Sequence, residues 1–157
     1  MKALQSSFLC LFLLCGAMVL GAQAPQWQWA VCAGGDYVDI GYSIAIDSQD
    51  NLYITGLISG TATFGNHILT RMGGFVAKLD PSGNWLWAVQ AGGTGYEEGY
   101  DIAVDGSGNA YVTGLFQNTA TFGSHILTSR GGNDIFIAKL DASGNWWGSA
   151  DAADVAG

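Results

Sequence analysis

The sequence has few cysteines, prolines and basic residues. Of its 157 residues, three are Cys, two are Pro and five are Lys or Arg. Cys10 and Cys15 lie in an apolar N-terminal run, which leaves Cys32 alone in the rest of the chain. One cysteine cannot form an internal disulfide, so stability must come from packing and strand pairing.

Charge is also scarce, and most of it is negative. Thirteen acidic residues against five basic ones give a net charge of −8. An anionic surface repels phosphate backbones, which argues against a nucleic-acid partner. Beyond the N-terminus there is no amphipathic helical pattern, and no run is apolar and long enough to span a membrane.

The N-terminus has the three-part layout of a secretory signal peptide. Lys2 provides a positive charge, residues 8–20 are mostly apolar, and residues 21–24 supply small side chains for cleavage. The run is shorter than the roughly 20 residues of a spanning helix, which disfavours a membrane anchor. We expect residues 1–24 to be removed, with a cut after Ala24 or Ala22, and the protein to be secreted or held at the cell surface.

The rest of the chain is an internal repeat. WAVCAGG at 29–35 returns as WAVQAGG at 87–93, a period of 58 residues. NLYITGL at 51–57 returns as NAYVTGL at 109–115, and TATFGNHILT at 61–70 returns as TATFGSHILT at 119–128. The first copy lacks three residues: Phe75 directly follows Gly74, whereas residues 133–135 intervene before Phe136.

Each copy has the pattern of four short strands. In the first copy these cover residues 43–47, 52–57, 75–79 and 85–89, and a long connection runs through 64–74. The turns between them are rich in Asp, Asn and Gly, which suit hairpin loops. Four-stranded antiparallel units repeated head to tail predict an all-β chain of about two β-propeller-type blades.

The repeat resembles the bacterial β-propeller repeat called SBBP. The resemblance rests on Trp-Ala and Ala-Gly-Gly, then IAVD and GNAYVTG, then FIAKLD and GNW, all clearest in the second copy. It implies a propeller fold and an exported, often cell-surface bacterial protein. It implies no catalytic activity, because the repeat is an architectural module.

The predicted organisation has four parts. Residues 1–24 form the signal peptide, 25–86 a leading strand and the first blade, 87–147 the second blade, and 148–157 a tail outside the repeat. The leading strand, 27–33, matches the fourth strand of a blade. Because a propeller needs about four blades to close, we expect an incomplete propeller, a fragment of a longer protein. The alternative is a ring of several short chains.

Three groups of polar residues are candidates for chemistry. The Asp-rich turns at 47–51 and 105–109 favour structural turns over calcium sites, since no Glu closes either loop. His67 and His125 occur once per copy without neighbouring ligands, which favours packing or turn roles. Glu97, Glu98 and Asp101 are interpreted as a solvated loop rather than a glycosidase pair.

The tryptophans are the other candidates, and packing between blades is favoured over stacking on a ligand. They are Trp27, Trp29, Trp85, Trp87, Trp146 and Trp147. We therefore predict no catalytic, cofactor-binding or metal-binding residue.

The sequence favours a non-enzymatic binding or scaffold module with an extracellular protein or glycan as partner. The candidate contact loops are 36–41, 94–99 and the connections near His67 and His125. The alternative is part of a propeller enzyme acting on polysaccharide, with its catalytic residues outside this chain; a third reading is a gene fragment without function. Open blade faces, carrying Ile44, Ile46, Tyr53, Phe75, Trp87 and their counterparts, predict self-association.

Overall fold

The computed structural model describes Ala24 and residues 26–151, with side chains up to Trp147. The predicted signal peptide and the end of the predicted tail lie outside these residues, apart from Ala24. The described part contains strands and no helix. The strands are β1 (Gly34–Gly35), β2 (Asp39–Ile46), β3 (Leu52–Ile58), β4 (Ala62–Phe64), β5 (His67–Leu69), β6 (Gly73–Leu79), β7 (Trp85–Gln90), β8 (Gly92–Gly93), β9 (Glu97–Val104), β10 (Ala110–Phe116), β11 (Thr119–Phe122), β12 (His125–Thr128), β13 (Asp134–Leu140) and β14 (Trp146–Asp151).

Two four-stranded antiparallel sheets form the body of the protein. Blade 1 has the order β2-β3-β6-β7, and blade 2 has the equivalent order β9-β10-β13-β14. The four strands predicted for each copy are therefore confirmed, as is the all-β, incomplete-propeller class. Neither sheet closes on itself, so each keeps two faces.

The connection predicted at 64–74 is more ordered than expected. It contains a hairpin, β4–β5, which joins β1 in a separate three-stranded sheet; β11–β12 joins β8 in the second copy. Gly65 and Gly123, at φ 60° and 63°, provide the left-handed residue of each tight turn. Sequence analysis missed these strands because each is only two to four residues long.

Two further boundaries differ from the predictions. The leading strand expected at 27–33 has no regular secondary structure, and pairing begins only at Gly34. At the other end, β14 continues through Asp151, pairing with β13 over the start of the predicted tail. Backbone pairing with β13 therefore extends a strand whose residues do not match the repeat.

Aromatic side chains attach each small hairpin to its blade. Phe64 lies 4.9 Å from Phe75 and 5.1 Å from Trp85, measured between ring centroids. In the second copy Phe122 contacts Phe136 at 4.8 Å and Trp146 at 5.1 Å. These contacts make the hairpins part of the two apolar cores.

The blades contact each other through opposite faces. We call the face with Tyr53 and Val76 the back of blade 1, and the face with Ile102 and Val112 the front of blade 2. All four side chains are buried and belong to one apolar cluster. The Tyr53 hydroxyl donates to the Gly108 carbonyl of blade 2 at 2.9 Å, which fixes the relative position of the blades.

The four hairpin turns inside the blades share one five-residue arrangement. Each starts with Asp and ends with Asn, and the side chain of the Asp accepts backbone hydrogen bonds from the third and fifth residues. The fourth residue has positive φ: it is Gly83, Gly108 or Gly144 in three turns and Asp50 in the other. The turns span residues 47–51, 80–84, 105–109 and 141–145.

These hydrogen bonds lower the pKa of the turn carboxyl groups. Burial alone would raise the pKa of Asp47, but the Asn51 side chain, two backbone amides and Lys78 outweigh it and bring the value to about 2. Asn109 is the main partner that lowers the pKa of Asp105 to about 2. The pKa of Asp80 and Asp141 is lowered in the same way.

We predict acid unfolding in a defined window. The turn carboxyls have a lower pKa in the folded state than the usual value of about 3.9. Their contribution to the free energy of unfolding is therefore complete above that pH and is lost as the pH falls towards about 2. The melting temperature should drop steeply between about pH 4 and pH 2. An Asp80→Asn variant should be less stable at pH 6 and show a shallower acid dependence. A melting temperature that stays constant down to pH 2 would contradict this.

Candidate functional site

The first strands of the two blades, β2 and β9, carry matching β-bulges; we call them the innermost strands, and β7 and β14 the outermost strands. In blade 1, Gly41 pairs with Gly56 and Ser43 with Thr55, which leaves Tyr42 unpaired. In blade 2, Gly99 pairs with Gly114 and Asp101 with Thr113, which leaves Tyr100 unpaired. A bulge redirects the side chain of its extra residue. Both bulges therefore present a tyrosine at the free edge of a sheet.

Glycine opposite each bulge makes the close strand approach possible. A Cβ atom added to Gly56 would overlap the carbonyl of Ile40, and one added to Gly114 would overlap that of Glu98. The second of these glycines also lies against the ring of Phe136. The bulge with its Gly-Tyr pair therefore requires a glycine at the facing position of the next strand.

The two bulged tyrosines lie side by side. The ring centroids of Tyr42 and Tyr100 are 5.5 Å apart and the rings meet edge to face. Their exposed fractions are 43% and 44%, so each keeps nearly half of its surface open to solvent. Sequence analysis did not single them out, although the Gly-Tyr pair recurs at the same place in both copies.

A buried carboxylate supports this pair from behind. Glu98 accepts a hydrogen bond from the Tyr96 hydroxyl and is itself almost inaccessible. Hydrogen bonding to Glu98 raises the pKa of both Tyr96 and Tyr100 to about 12. Both phenols therefore stay protonated and keep hydroxyl groups that can donate. We call Tyr42, Tyr96, Glu98 and Tyr100 the tyrosine edge.

A polar contact beside the tyrosine edge links the two innermost strands. Ser43 Oγ donates to Asp101 Oδ1 at 2.6 Å, and the backbone N–H of Ile102 donates to the same oxygen at 2.9 Å. These hydrogen bonds, the one from Ser43 foremost, lower the pKa of Asp101. The contact holds the inner edges of the blades together next to the tyrosines.

The solvated loop expected for Glu97, Glu98 and Asp101 is wrong for the two glutamates. Both lie in β9 and both are buried. Adjacent residues of a strand point to opposite sides: Glu98 faces the tyrosines, whereas Glu97 faces Gly73 of blade 1. The two carboxyls thus do not face one common space.

Glu97 occupies a gap left by the three missing residues of the first copy. Gly73 pairs with Ile58 at the position where Asp134 pairs with Phe116 in blade 2. A Cβ at Gly73 would lie only 2.9 Å from Glu97 Oε2. Burial raises the pKa of Glu97 to about 7 despite the charge of Arg71, and Glu97 Oε1 has no hydrogen-bond partner.

The other candidate residues, namely the turn aspartates, the histidines and the tryptophans, lie in turns, in the small hairpins or against aromatic rings. The turn aspartates accept hydrogen bonds from their own loops, and the described residues contain no cluster of three metal-ligating side chains. His67 and His125 follow the tight turns of the small hairpins. Trp85, Trp87 and Trp146 pack against aromatic rings, whereas Trp27 and Trp147 are exposed.

Comparison with known proteins identifies the repeat. The SBBP family, described as a beta-propeller repeat, matches residues 28–62 and 86–115. Two segments of the chain are thus similar to the SBBP repeat. The matched segments start 58 residues apart, in step with the period of the sequence, and each SBBP repeat contains one of the bulged tyrosines.

A similar curated protein is viral. It is an uncharacterized WD repeat-containing protein of Acanthamoeba polyphaga mimivirus, 29% identical over 98 residues. The alignment covers 56% of this chain and 7% of that protein, so the chain spans a small part of its relative's length. A bacterial source for the SBBP repeats of this chain thus stays a prediction. Within residues 24 and 26–151, no helix could cross a membrane.

We predict that Glu97→Gln stabilises the protein much more at pH 8 than at pH 5. Because the folded-state pKa is raised, the folded protein favours the protonated carboxyl, and its charged form costs stability as the pH rises through about 7. Glutamine removes that cost, which we expect to be about 1–2 kcal/mol at pH 8. Urea unfolding at pH 8 and pH 5 should show a gain at pH 8 and little change at pH 5. A loss of stability at pH 8 would contradict the assignment.

Proposed function

We propose that the chain is an exported, non-enzymatic binding module whose contact surface is the tyrosine edge. The single observation that carries the proposal is the repeated bulge, which exposes Tyr42 and Tyr100 side by side at a sheet edge. Bulges are over-represented at sheet edges and next to active sites, where they redirect a side chain. The matching SBBP repeats supply a rigid support for such a surface.

A glycan is the partner that this surface suits best. Exposed faces of tyrosine rings offer apolar area to the C–H faces of a sugar, while their hydroxyls offer hydrogen bonds. Glu98 holds the hydroxyl groups of Tyr96 and Tyr100 from a buried position, which reduces the entropy lost on binding. An extracellular protein with a polar, aromatic-binding surface is the second partner class that fits.

The enzyme alternative places catalysis outside this chain. In the described residues Glu97 faces Gly73 and Glu98 faces Tyr96, so the two carboxyls do not share one site. This arrangement favours binding over hydrolysis for the part of the protein carried here. Residues supplied by a longer protein would be needed for a polysaccharide-cleaving reaction.

We predict that the tyrosine edge retards the protein in glycan gels. Affinity electrophoresis through gels containing soluble β-glucan, xylan, mannan or pectin should slow the wild-type chain in at least one of them. The Tyr42→Ala/Tyr100→Ala variant should bind about tenfold more weakly, as expected for the loss of two aromatic contacts.

The matched control is Tyr111→Ala, which removes a similarly exposed tyrosine outside the bulges and outside the candidate contact loops. It should bind like the wild type. Equal losses in the two variants, or no retardation of the wild-type chain in any gel, would refute glycan binding at this edge. Binding together with release of reducing sugar would instead support the enzyme alternative.

Export is a separate prediction. Lys2, the apolar run and the small residues at 21–24 predict cleavage by a signal peptidase. Mass spectrometry of protein recovered from the medium or cell surface should find a new N-terminus at Gln23 or Pro25. Intact Met1 in the extracellular protein would contradict cleavage.

A further inference from the structure

The contact between the two blades shows how an open face of this repeat is covered. On the back of blade 1, Tyr53 and Val76 have exposed fractions of 0% and 1% because blade 2 covers them. Trp87 packs on Tyr53 at 5.8 Å and donates from Nε1 to the Ala142 carbonyl at 3.2 Å. The back of blade 1 thus packs on the front of blade 2, and β7, the outermost strand of blade 1, reaches the last turn of blade 2.

The same two surfaces recur uncovered elsewhere in the molecule. The back of blade 2 carries Tyr111 and Ile137, the counterparts of Tyr53 and Val76, at 39% and 58% exposure. The front of blade 1 carries Ile44, at 56%, whose counterpart Ile102 is buried. The open back of blade 2 therefore resembles the covered back of blade 1, and the open front of blade 1 resembles the covered front of blade 2.

The segment 26–33 marks the place of a missing neighbour. Trp29, the counterpart of Trp87, donates from Nε1 to the Pro81 carbonyl at 2.9 Å. Its ring lies against Gly83, just as the ring of Trp87 lies against Gly144. The segment thus follows the course of an outermost strand belonging to a preceding blade, yet it has no regular secondary structure.

We propose that a second copy of this chain supplies the preceding blade. The back of blade 2 of one copy covers the front of blade 1 of the other, and the contact is head to tail. The occupant is a second copy because the interface would continue the blade-to-blade contact that the molecule already makes. Such a contact uses two different surfaces, so each copy can bind a neighbour on either side.

Segment 26–33 becomes the fourth strand of the neighbouring blade. In the aligned repeats this segment corresponds to β14, which pairs with β13, so only one of the two can pair there. Segment 26–33 carries Trp29 at the position where the sequence of β14 has Gly148. The segment therefore provides the tryptophan that reaches the next blade, and β14 of the second copy gives way to it.

The first test is the mass of the chain in solution and its response to single charges on each face. Sedimentation of the purified wild-type chain should show concentration-dependent species larger than 16.4 kDa. Ile46→Lys, on the front of blade 1, and Ile137→Lys, on the back of blade 2, should each weaken association at least tenfold. Ile126→Lys is the matched control, because Ile126 is equally exposed but lies on the small hairpin.

Mixing the two face variants distinguishes head-to-tail contact from any symmetric one. Each variant keeps one intact face, so the mixture should form a one-to-one dimer that cannot extend. A wild-type chain that remains monomeric at high concentration, or association that neither substitution weakens, would overturn the proposal. Failure of the mixture to form the dimer would also overturn it.

A cross-link tests the strand placement without relying on these variants. Val31 corresponds to Val89, which pairs with Val76, the counterpart of Ile137. In a background with the native cysteines replaced by Ala, the Val31→Cys/Ile137→Cys chain should form disulfides between copies under mild oxidation. The Val31→Cys/Ile126→Cys chain should not. Absence of the first cross-link, or equal cross-linking of both chains, would refute pairing of segment 26–33 with β13.

Discussion

Burial of one sheet face by the next blade is the interaction on which the rest of this structure depends. A four-stranded sheet of this length has two apolar faces, and the described residues include no helix to cover either. Tyr53 illustrates the solution: its ring is fully buried under blade 2, its hydroxyl bonds to Gly108, and the Lys78 ammonium lies 4.6 Å from its centroid. On the back of blade 2, which nothing covers in the described part of the chain, Lys139 makes the same contact with Tyr111, and the Tyr111 ring stays partly open to solvent.

The contrast shows which contacts are local and which come from the neighbour. The pairing of Lys78 with Asp47 and the turn hydrogen bonds lie within one repeat. The burial of the aromatic ring requires the next repeat. Stability in repeat proteins divides in this way into contributions from each unit and from each interface. With two units and one interface, the described part has few interface contacts relative to its exposed apolar surface.

The fold could be predicted from the sequence because each strand and turn of the blade occurs twice. When the two copies are aligned, the Asp-to-Asn turns separate the strands, which predicts four strands in each copy. The bulges could not be predicted, since a bulge depends on which backbone pairs across β2 and β3, and the period-two pattern of Gly41-Tyr42-Ser43 shows no interruption. Glu97 was misjudged for a similar reason: its burial depends on the residues missing before Phe75 in the other copy, and sequence spacing alone does not bring the two places together.

The five-residue turn has a consequence for how such chains grow. Because Asp47, Asp80, Asp105 and Asp141 each close a hairpin with their own loop, strand register is set inside the hairpin and not by the adjoining blade. A duplicated stretch of 58 residues would arrive with its pairing already specified, needing only a face on which to pack. Copy number can then change by gain or loss of whole units without redesign of the remaining ones. The fourth turn residue can also differ between turns, Asp50 in one and glycine in three, while its positive φ is kept.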